Sequence, residues 1–425
     1  MNYSTALRGY TAKRLEEIET ADILMGIPSY NNEKTIAHVI QMVTHGLAGH
    51  YKDRRSVILI ADGGSTDDTR EVSRDFEIKP WQEKIVSIYR GPGGKGTALR
   101  SVFEAAKRLN VKVCAMVDSD LRSITPDWVK YLLDPILNHD YQYVSPVYVR
   151  HKYDGTITNN IVYNLTRALY GKRIRQPIGG DFAISSDVAR FYTEQDVWDT
   201  DVARFGIDIW MTTIAIARRF NICQAFLGSP KIHNPKDPAA DLGPMFTQVV
   251  STLFDLIIDF EFIWKDTFSS RPSNIYGFGL GIEEKPPVVE VNTDTLFEST
   301  LNGFKKYAKL WETFIPGPEF SQIKQWEKTD NKKNFSYSSD LWARILFNFA
   351  IAYRMNEIDR DKLIESMIPF YHSRVLSFAN KTEKANIKEA EEYLENVTRV
   401  FEREKYYLVQ RWDSSVKRLG SKLFK

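Results

Sequence analysis

The stretch Val113-Cys114-Ala115-Met116-Val117-Asp118-Ser119-Asp120 decides the fold, because a run of apolar residues ends there in two closely spaced carboxylates. Continuous apolar residues over 111–117 predict a strand that is buried on both faces. Two carboxylates at positions i and i+2 after such a strand can meet one hard cation, which would bridge diphosphate oxygens. The pattern leaves a simpler alternative open, in which one aspartate only caps a helix that begins near Thr125.

Three similar apolar runs precede this strand, and segments with helical periodicity separate them. The predicted strands cover 23–27, 56–61 and 84–89, and the predicted helices cover 33–47, 66–76 and 96–109. The first strand is expected to stop at Pro28. Buried strands that alternate with helices are typical of an α/β fold with a mostly parallel sheet covered on both faces.

Polar or glycine-rich signals follow the end of each predicted strand, at Ser29, Asp62, Gly91 and Asp118. Ligands of such sheets bind beyond the carboxyl ends of the strands, so this coincidence predicts a nucleotide site. Around Asp62, the stretch 61–69 has glycines that permit a tight turn, and the carboxylate can accept hydrogen bonds from a base or ribose. It is equally consistent with a plain strand–helix turn capped by Ser65 or Thr66.

The glycine-rich turn 91–96 differs from a phosphate-binding loop of the Gly-x-x-x-x-Gly-Lys-Ser/Thr kind, because Thr97 comes one residue late. A nucleotide hydrolase of that class is therefore disfavoured. Lys95 in this turn is still placed to neutralise a diphosphate.

The composition narrows the class of protein. The 425 residues are 43% hydrophobic and 26% charged with a net charge of +2, which is ordinary for a soluble globular protein and gives no indication of a nucleic-acid surface. Cys114 and Cys223 lie among apolar neighbours, as buried thiols in a reducing compartment do. The first 20 residues lack a signal-peptide core, and no run of about 18 apolar residues predicts a membrane span, so we expect a cytoplasmic protein.

Changes in sequence texture predict four regions. We expect an N-terminal extension (1–20), a main domain (21–270) in two parts (21–122 and 123–270), a Pro- and Gly-rich connecting loop (271–292), and a helical region (293–425). Helices are predicted over 294–308, 338–355, 360–377 and 381–417. Their aromatic residues recur at helical spacing, which indicates a subdomain core or a dimer contact.

The four strand-end motifs together resemble the nucleotide-binding half of GT-A glycosyltransferases. They are Ile27-Pro28-Ser29-Tyr30-Asn31-Asn32-Glu33, Asp62-Gly63-Gly64-Ser65-Thr66-Asp67-Asp68-Thr69, Gly94-Lys95-Gly96 and Asp118-Ser119-Asp120. Three later motifs are similar to those of retaining enzymes of glycosyltransferase family 81 and mannosylglycerate synthase. They are Gln176-Pro177-Ile178-Gly179-Gly180-Asp181, Phe205-Gly206-Ile207-Asp208 and Ile232-His233-Asn234. The resemblance covers roughly 20–260 and implies a GT-A fold, in which 21–270 is the catalytic domain with a nucleotide-sugar half (21–122) and an acceptor half (123–270).

The resemblance also implies roles for individual residues. The residues that would contact the nucleotide sugar are Pro28, Ser29, Glu33, Asp62, Lys95 and Asp118. Asp120 and His233 would ligate a divalent metal, and Mg, Mn and Co all suit that pair. The residues that would contact the acceptor are Thr158, Gly179, Gly180 and Asn234. Asp208 would face the sugar hydroxyls or the reacting centre, or else it only caps a helix that begins near Ile209.

One departure from the family pattern concerns the acceptor. Enzymes that use 3-phosphoglycerate carry an arginine where this chain has Thr156, in the stretch 155–159. Loss of a bidentate phosphate partner favours an acceptor without phosphate. Arg150, Lys152 and Arg173 lie near in sequence and remain alternative phosphate ligands.

Taken with the resemblance, the sequence predicts a retaining transferase that moves glucose or mannose from a UDP- or GDP-sugar to D-glycerate or 3-phosphoglycerate. A homodimer is expected, and no nucleic-acid or membrane partner. Two alternatives remain: an inverting transferase with a polysaccharide or lipid acceptor, and a nucleotidyltransferase or sugar-nucleotide-binding regulator. The Asp118-Ser119-Asp120 triplet and the downstream His233 argue against the nucleotidyltransferase or regulator.

Overall fold

The computed structural model of the chain describes residues 3–233, 243–277 and 285–423, and it describes side chains up to residue 415. Contacts divide it into two compact units. The first consists of Met1–Val149, Ile174–Asn234 and Pro272–Pro287, and the second of Arg150–Arg173, Pro235–Arg271 and Val288–Lys425. This division differs from the expected boundaries, because 150–173 and 235–271 cluster with the C-terminal helices.

The first unit is built on a sheet of eight strands among the described residues. The strands of the chain are β1 (Ile23–Ser29), β2 (Ser56–Asp62), β3 (Glu83–Ile88), β4 (Val113–Met116), β5 (Tyr143–Val149), β6 (Lys172–Arg173), β7 (Phe182–Ser185), β8 (Ile222–Pro230), β9 (Arg271–Pro272) and β10 (Asn274–Tyr276). The sheet order is β10-β8-β5-β7-β4-β1-β2-β3, and β6 pairs separately with β9. Only β7 runs antiparallel to its neighbours in the described sheet, so the mostly parallel α/β fold is confirmed.

The expectation that the first strand stops at Pro28 is wrong, because β1 continues through Ser29. The pairing of β1 with β4 ends at Gly26, whereas its pairing with β2 continues to Ser29. Pro28 therefore lies where the strand has a partner on one side only, and a missing N–H is tolerated there. As a result Ser29 and Asp62 are register partners at the carboxyl ends of β1 and β2.

Helices cover the sheet and form most of the second unit. They are α1 (Gly9–Ile18), α2 (Ile36–His50), α3 (Thr69–Asp75), α4 (Lys95–Arg108), α5 (Pro126–Leu137), α6 (Tyr163–Tyr170), α7 (Ser186–Thr193), α8 (Ile207–Ala217), α9 (Gly243–Asp259), α10 (Glu261–Lys265), α11 (Thr293–Trp311), α12 (Gly317–Lys324), α13 (Ser339–Met355), α14 (Arg360–Thr382) and α15 (Ile387–Leu423). None of the helices in the described residues is long and apolar enough to cross a bilayer.

Burial explains why the central strands form. Every residue of β1, β2 and β4 is buried, which is the pattern of strands covered on both faces. Helix α4 packs closely on β1 at Gly26, where an added Cβ would lie 2.6 Å from Cγ1 of Val102. A second apolar layer is formed by α2 and α5, with Trp128 fully buried in it.

The stretch 271–292, expected to be a connecting loop, contains β10, which adds to the sheet edge beside β8. Three residues are too few to show the alternation of a strand, and backbone pairing with an existing edge orders them. Tyr276 in this strand donates a hydrogen bond to Asp134 Oδ2 at 2.9 Å.

The second unit is helical, as expected for the region beyond residue 293. Helix α11 packs on α14, α13 packs on α15, and α15 also packs on α6. Trp264, Trp311, Trp342 and Trp412 are fully buried, so the aromatic residues at helical spacing form a core.

Candidate functional site

The Asp62 carboxylate organises the turn after β2. Its Oδ1 accepts hydrogen bonds from the amides of Gly64 (2.9 Å) and Ser65 (2.8 Å), and its Oδ2 accepts from the hydroxyls of Ser65 (2.5 Å) and Ser29 (3.1 Å). The residue is completely buried. Helix α3 begins only at Thr69 with Asp68 as its N-cap, so the alternative that Ser65 or Thr66 caps it is wrong.

Hydrogen bonds join the loops after β1, β2 and β4 into one surface. Asn31, with a positive φ of 54°, receives the amide of Thr66 on its side-chain oxygen at 2.9 Å. Asn32 Oδ1 accepts from the hydroxyl of Ser119 at 2.7 Å. Pro28 is buried beside this surface, whereas Glu33 is exposed.

Asp118 lies between two ammonium groups. Its Oδ1 is 2.8 Å from Nζ of Lys95, and its Oδ2 is 3.0 Å from Nζ of Lys231. Lys95 opens helix α4, and its Nζ also lies 3.2 Å from Oδ2 of Asp208 and 3.3 Å from the carbonyl oxygen of Gly180. The structure thus brings together Lys95, Asp118 and Asp208, three residues expected to carry the chemistry.

The second ammonium belongs to a buried network that the sequence did not reveal. Lys231 Nζ donates to Asp181 Oδ2 and to the carbonyl oxygen of Gly179, both at 2.8 Å. It lies 4.9 Å from the ring centroid of Tyr148, whose single hydroxyl proton has two acceptors within reach, Asp181 Oδ2 and, at 2.9 Å, Gly179 O. Lys231 immediately precedes the Ile232-His233 motif, and Asp181 directly follows Gly180. Their position next to these motifs was the only feature of the sequence that could have marked them as site residues.

The charges in this cluster shift the pKa of each group. Burial opposes ionisation of Asp118, but Lys95 and Lys231 outweigh it and hold the pKa of that carboxyl well below its usual range. Burial also lowers the pKa of Lys95, and the carboxylates of Asp118 and Asp208 more than offset this and raise it. Asp208 is different, because burial dominates over the attraction of Lys95 and raises the pKa of its carboxyl.

Asp208 has one carboxylate oxygen that is buried and not satisfied by the described residues. It lies in the first turn of α8, which begins at Ile207 with Gly206 as N-cap, so the alternative of a helix-capping role is wrong. The residue is 7% exposed, and its Oδ1 is buried without a hydrogen-bond partner among the residues that the structure describes. A buried carboxylate oxygen left unsatisfied costs free energy, so a hydrogen-bond donor from a bound molecule is the natural partner.

The two expected metal ligands lie on adjoining segments. The amide of Arg122 donates to Ile232 O at 2.9 Å, and the amide of Ile232 donates to Ser123 Oγ at 2.8 Å, which joins the segment that follows Asp120 to the segment that carries His233. Helix α5 is N-capped at Thr125, so the alternative that Asp118 or Asp120 caps it is wrong.

The donor set suits a hard divalent cation that is completed by its substrate. Within the described ranges, no group of three or more His, Cys, Asp or Glu side chains forms a metal cage. One carboxylate and one imidazole leave coordination positions for diphosphate oxygens and water, as at magnesium sites of phosphate-binding proteins.

Gly180 is required by the packing of this cluster. Its φ is +92°, and an added Cβ would lie 2.1 Å from Asp118 Oδ2. Gly179 is also closely packed, with Cγ of Pro146 2.4 Å from the position of an added Cβ. Of the other expected acceptor residues, Thr158 is buried in a π-helical turn of the second unit and Asn234 lies outside the described residues.

Comparisons with known proteins agree with this reading of the sheet. The sequence profile of Glycosyl transferase family 2 matches residues 25–198. Glucosyl-3-phosphoglycerate synthase of Petrotoga mobilis is 29% identical over 168 residues, which cover 39% of this chain and 46% of the relative. The match thus spans about half the length of that curated relative.

Solved structures give a similar result. Glucosyl-3-phosphoglycerate synthase from Mycobacterium tuberculosis in complex with Mn²⁺, UDP and phosphoglyceric acid is 24% identical, with a TM-score of 0.44 over 59% of this chain and 83% of that chain. The same enzyme with Mg²⁺ and UDP is 23% identical, with a TM-score of 0.44 over 59% and 85% of the two chains. From the profile match and the curated relative, the resemblance that the motifs predict is confirmed: residues 25–198 form a domain similar to glycosyl transferase family 2, on a sheet of the GT-A kind.

Proposed function

We propose that this protein is a retaining hexosyltransferase that moves glucose or mannose from a nucleoside diphosphate sugar to the 2-hydroxyl of D-glycerate. The observation that carries the proposal is the buried cluster of Lys95, Asp118 and Asp208 at the carboxyl ends of the strands, with Oδ1 of Asp208 unpartnered. A cation beside a carboxylate that lacks a donor suits a ligand with both an anionic group and hydroxyls, as a sugar diphosphate has.

The donor side of the proposal assigns each residue a task. Lys95 neutralises the diphosphate, Asp118 accepts hydrogen bonds from the ribose or the donor sugar, and Asp208 Oδ1 accepts one from a sugar hydroxyl. Asp62, with its oxygens already occupied, supports the base and ribose by shaping the turn that Ser29 shares. Asp120 and His233 would hold a divalent cation, which offsets negative charge on the departing diphosphate when bound.

The contacts of Thr156 and Lys152 favour an acceptor without a phosphate group, which is glycerate. The hydroxyl of Thr156 is buried 2.5 Å from that of Tyr371, inside the helical unit. Lys152 donates to the carbonyl oxygens of Thr382 (2.6 Å), Glu383 (3.0 Å) and Ala385 (2.8 Å), which occupies all three of its N–H groups.

The two nearby arginines are also engaged. Arg150 lies 3.6 Å from Asp154, and Arg173 donates to Ser270 Oγ at 2.9 Å. Each residue that could replace the missing arginine at position 156 therefore already has a partner in the second unit. The Petrotoga mobilis relative is named for 3-phosphoglycerate, so that compound is the competing acceptor.

The reaction needs no enzymic nucleophile. The bond between the anomeric carbon and the diphosphate oxygen breaks, and its electron pair goes to that oxygen. The acceptor 2-hydroxyl oxygen bonds to the same face of the anomeric carbon, and its proton passes to the departing phosphate oxygen. Lys95 stabilises the charge that develops there, and the fixed positions of donor and acceptor supply much of the remaining rate enhancement.

The test is a panel of UDP- and GDP-hexoses with Mg²⁺, Mn²⁺ or Co²⁺, screened by thermal shift and followed by turnover on D-glycerate and 3-phosphoglycerate. We expect one sugar nucleotide to stabilise the protein in a metal-dependent manner and turnover to be faster with D-glycerate. Asp120→Ala and His233→Ala should lose metal-dependent turnover by at least about 100-fold while the unfolding temperature without ligand is retained.

Three outcomes contradict parts of the proposal separately. Full activity of either variant refutes the metal ligands. Equal or better use of 3-phosphoglycerate refutes the reading of Thr156. Inversion at the anomeric carbon, read by NMR of the product, assigns the chain to the inverting class, and release of pyrophosphate assigns it to the nucleotidyltransferases.

A further inference from the structure

The two lysines that flank Asp118 differ in their environments. Lys231 is 4% exposed at its side chain, and its three contacts are short: 2.8 Å to Asp181 Oδ2, 2.8 Å to Gly179 O and 3.0 Å to Asp118 Oδ2. Lys95 is 14% exposed, and two of its three contacts are longer, at 3.2 and 3.3 Å. An ammonium has three N–H donors, so both lysines have all their donors engaged, but Lys231 is more buried and its contacts are shorter.

Lys231 and the partners of its ammonium come from three different segments. Lys231 follows β8 and is anchored by its amide, which donates to Val149 O at 3.1 Å. Asp118 follows β4, and Gly179 and Asp181 belong to the turn before β7. The amide of Asp118 closes the network by donating to Asp181 Oδ1 at 2.9 Å. One buried ammonium therefore ties the donor-side carboxylate to the turn that carries the expected acceptor glycines.

Building on the proposed function, we infer that Lys231 is a positioning residue: it fixes Asp118 and the turn 179–181 in one arrangement and so leaves Lys95 as the cation that moves to the donor diphosphate. Asp118 stays balanced by Lys231 when Lys95 turns toward the diphosphate, so its carboxylate keeps its place. The turn 179–181 keeps its place for the same reason, since Gly179 O and Asp181 share the same ammonium. Donor binding and acceptor placement are thereby separated between two lysines.

The variants for the test are Lys231→Met, which keeps the length and removes the charge, and Lys231→Arg, which keeps the charge. Lys84→Met is the matched control, because Lys84 also lies in the first unit and donates to the backbone carbonyl oxygens of Arg74 (2.9 Å) and Phe76, with Asp118 not among its partners.

The first readout needs no substrate. Hydrogen exchange of peptides that cover 176–184 should become at least about tenfold faster in Lys231→Met, remain near the wild-type rate in Lys84→Met, and recover in Lys231→Arg. Unchanged exchange in Lys231→Met overturns the positioning role, whatever the protein transfers.

The second readout uses UDP with Mg²⁺ and the sugar nucleotide and acceptor found active. Lys231→Met should bind UDP–Mg²⁺ within about threefold of wild type, because Lys95, Asp120 and His233 are intact. It should show a KM for D-glycerate raised by at least about tenfold and a lower kcat. Lys231→Arg should bring both KM and kcat back toward the wild-type values.

The two hypotheses fail in different ways. If wild type transfers no hexose, the proposed function fails, and the exchange measurement still decides the role of Lys231. If wild type is active but Lys231→Met behaves like Lys84→Met in KM for D-glycerate and in kcat, the positioning role is refuted while the function stands.

Discussion

At the scale of single residues, the pKa of Asp208 gives the most direct test of the proposed chemistry. Burial raises it above the ordinary value of 3.8, against the pull of Lys95. A carboxylate that accepts a sugar hydroxyl must be ionised. The rate should therefore fall as the pH drops through this raised pKa, at a higher pH than an exposed aspartate would give.

We expect Asp208→Asn to lower kcat by about 100-fold or more and to lose this acid limb, because an amide has no carboxyl proton to gain. The measurement is the pH profile of kcat in the best donor–acceptor pair. Asp259→Asn is the control, since burial also raises the pKa of Asp259, which lies in the helical unit. If the Asp208→Asn variant keeps the wild-type pH profile of kcat, a group other than Asp208 causes the acid limb.

Some of these residues could be predicted from the sequence and others could not, for a physical reason. Asp118 and Lys95 stand in short motifs directly after strands, where the chain order already predicts proximity. Lys231 is one of 57 lysines and arginines, and nothing in its neighbours shows that three acceptors converge on it. Only the fold joins β8 to the turn at 179–181.

At the scale of elements, α15 carries a lysine whose environment makes stability depend on pH. Lys405 is 8% exposed, and its Nζ donates to the carbonyl oxygens of Thr267 and Leu169 within the second unit. Burial lowers the pKa of Lys405 to about 8 from its ordinary 10.5. Between these two values the folded protein is neutral at this site while the unfolded chain still binds the proton, so the free energy of unfolding rises with pH across that window.

We expect wild type to gain about 1–2 kcal/mol from this site between pH 7.5 and 10, and Lys405→Met to lack that gain. Urea unfolding at several pH values measures it, with the difference between the two proteins isolating Lys405 from other groups that titrate there. The exposed Lys309→Met should follow the wild-type curve. Parallel curves for wild type and Lys405→Met would show that the ammonium keeps its ordinary pKa in the folded state.

The same scale shows which elements a pattern can predict. The strands β1 to β4 lie within two residues of the expected ends, because each is a continuous apolar run, apart from the extension through Pro28. Strand β7 has four residues and β10 has three, too few for any periodicity, and their places are set by pairing with β4, β5 and β8. Strands as short as β7 and β10 therefore cannot be predicted from the periodicity of the sequence.

At the scale of the whole molecule, the chain crosses between the two units more often than its texture suggests. The expected boundary near 271–292 follows a change in Pro and Gly content. That change in composition does not show that 150–173 and 235–271 pack against the C-terminal helices. In the structure α6 packs on α15, and α9 packs on α13 and α14. Apolar periodicity shows that a face is buried but not which later helix covers it.

A chain that ends at residue 287 therefore should not fold as a free domain, although the expected boundaries suggest that it would. It would keep α6, α9 and α10 without the helices that cover them, and Leu253, Phe254 and Trp264 are all fully buried in the complete chain. Each large apolar side chain left uncovered forfeits about 1.5–3 kcal/mol, and several together approach the whole stability of a typical domain, about 5–15 kcal/mol. Size-exclusion chromatography and thermal unfolding of 1–287 beside the full chain should show aggregation and no cooperative transition, whereas a monodisperse protein that melts cooperatively and binds a sugar nucleotide would show that the sheet unit is stable without the C-terminal helices.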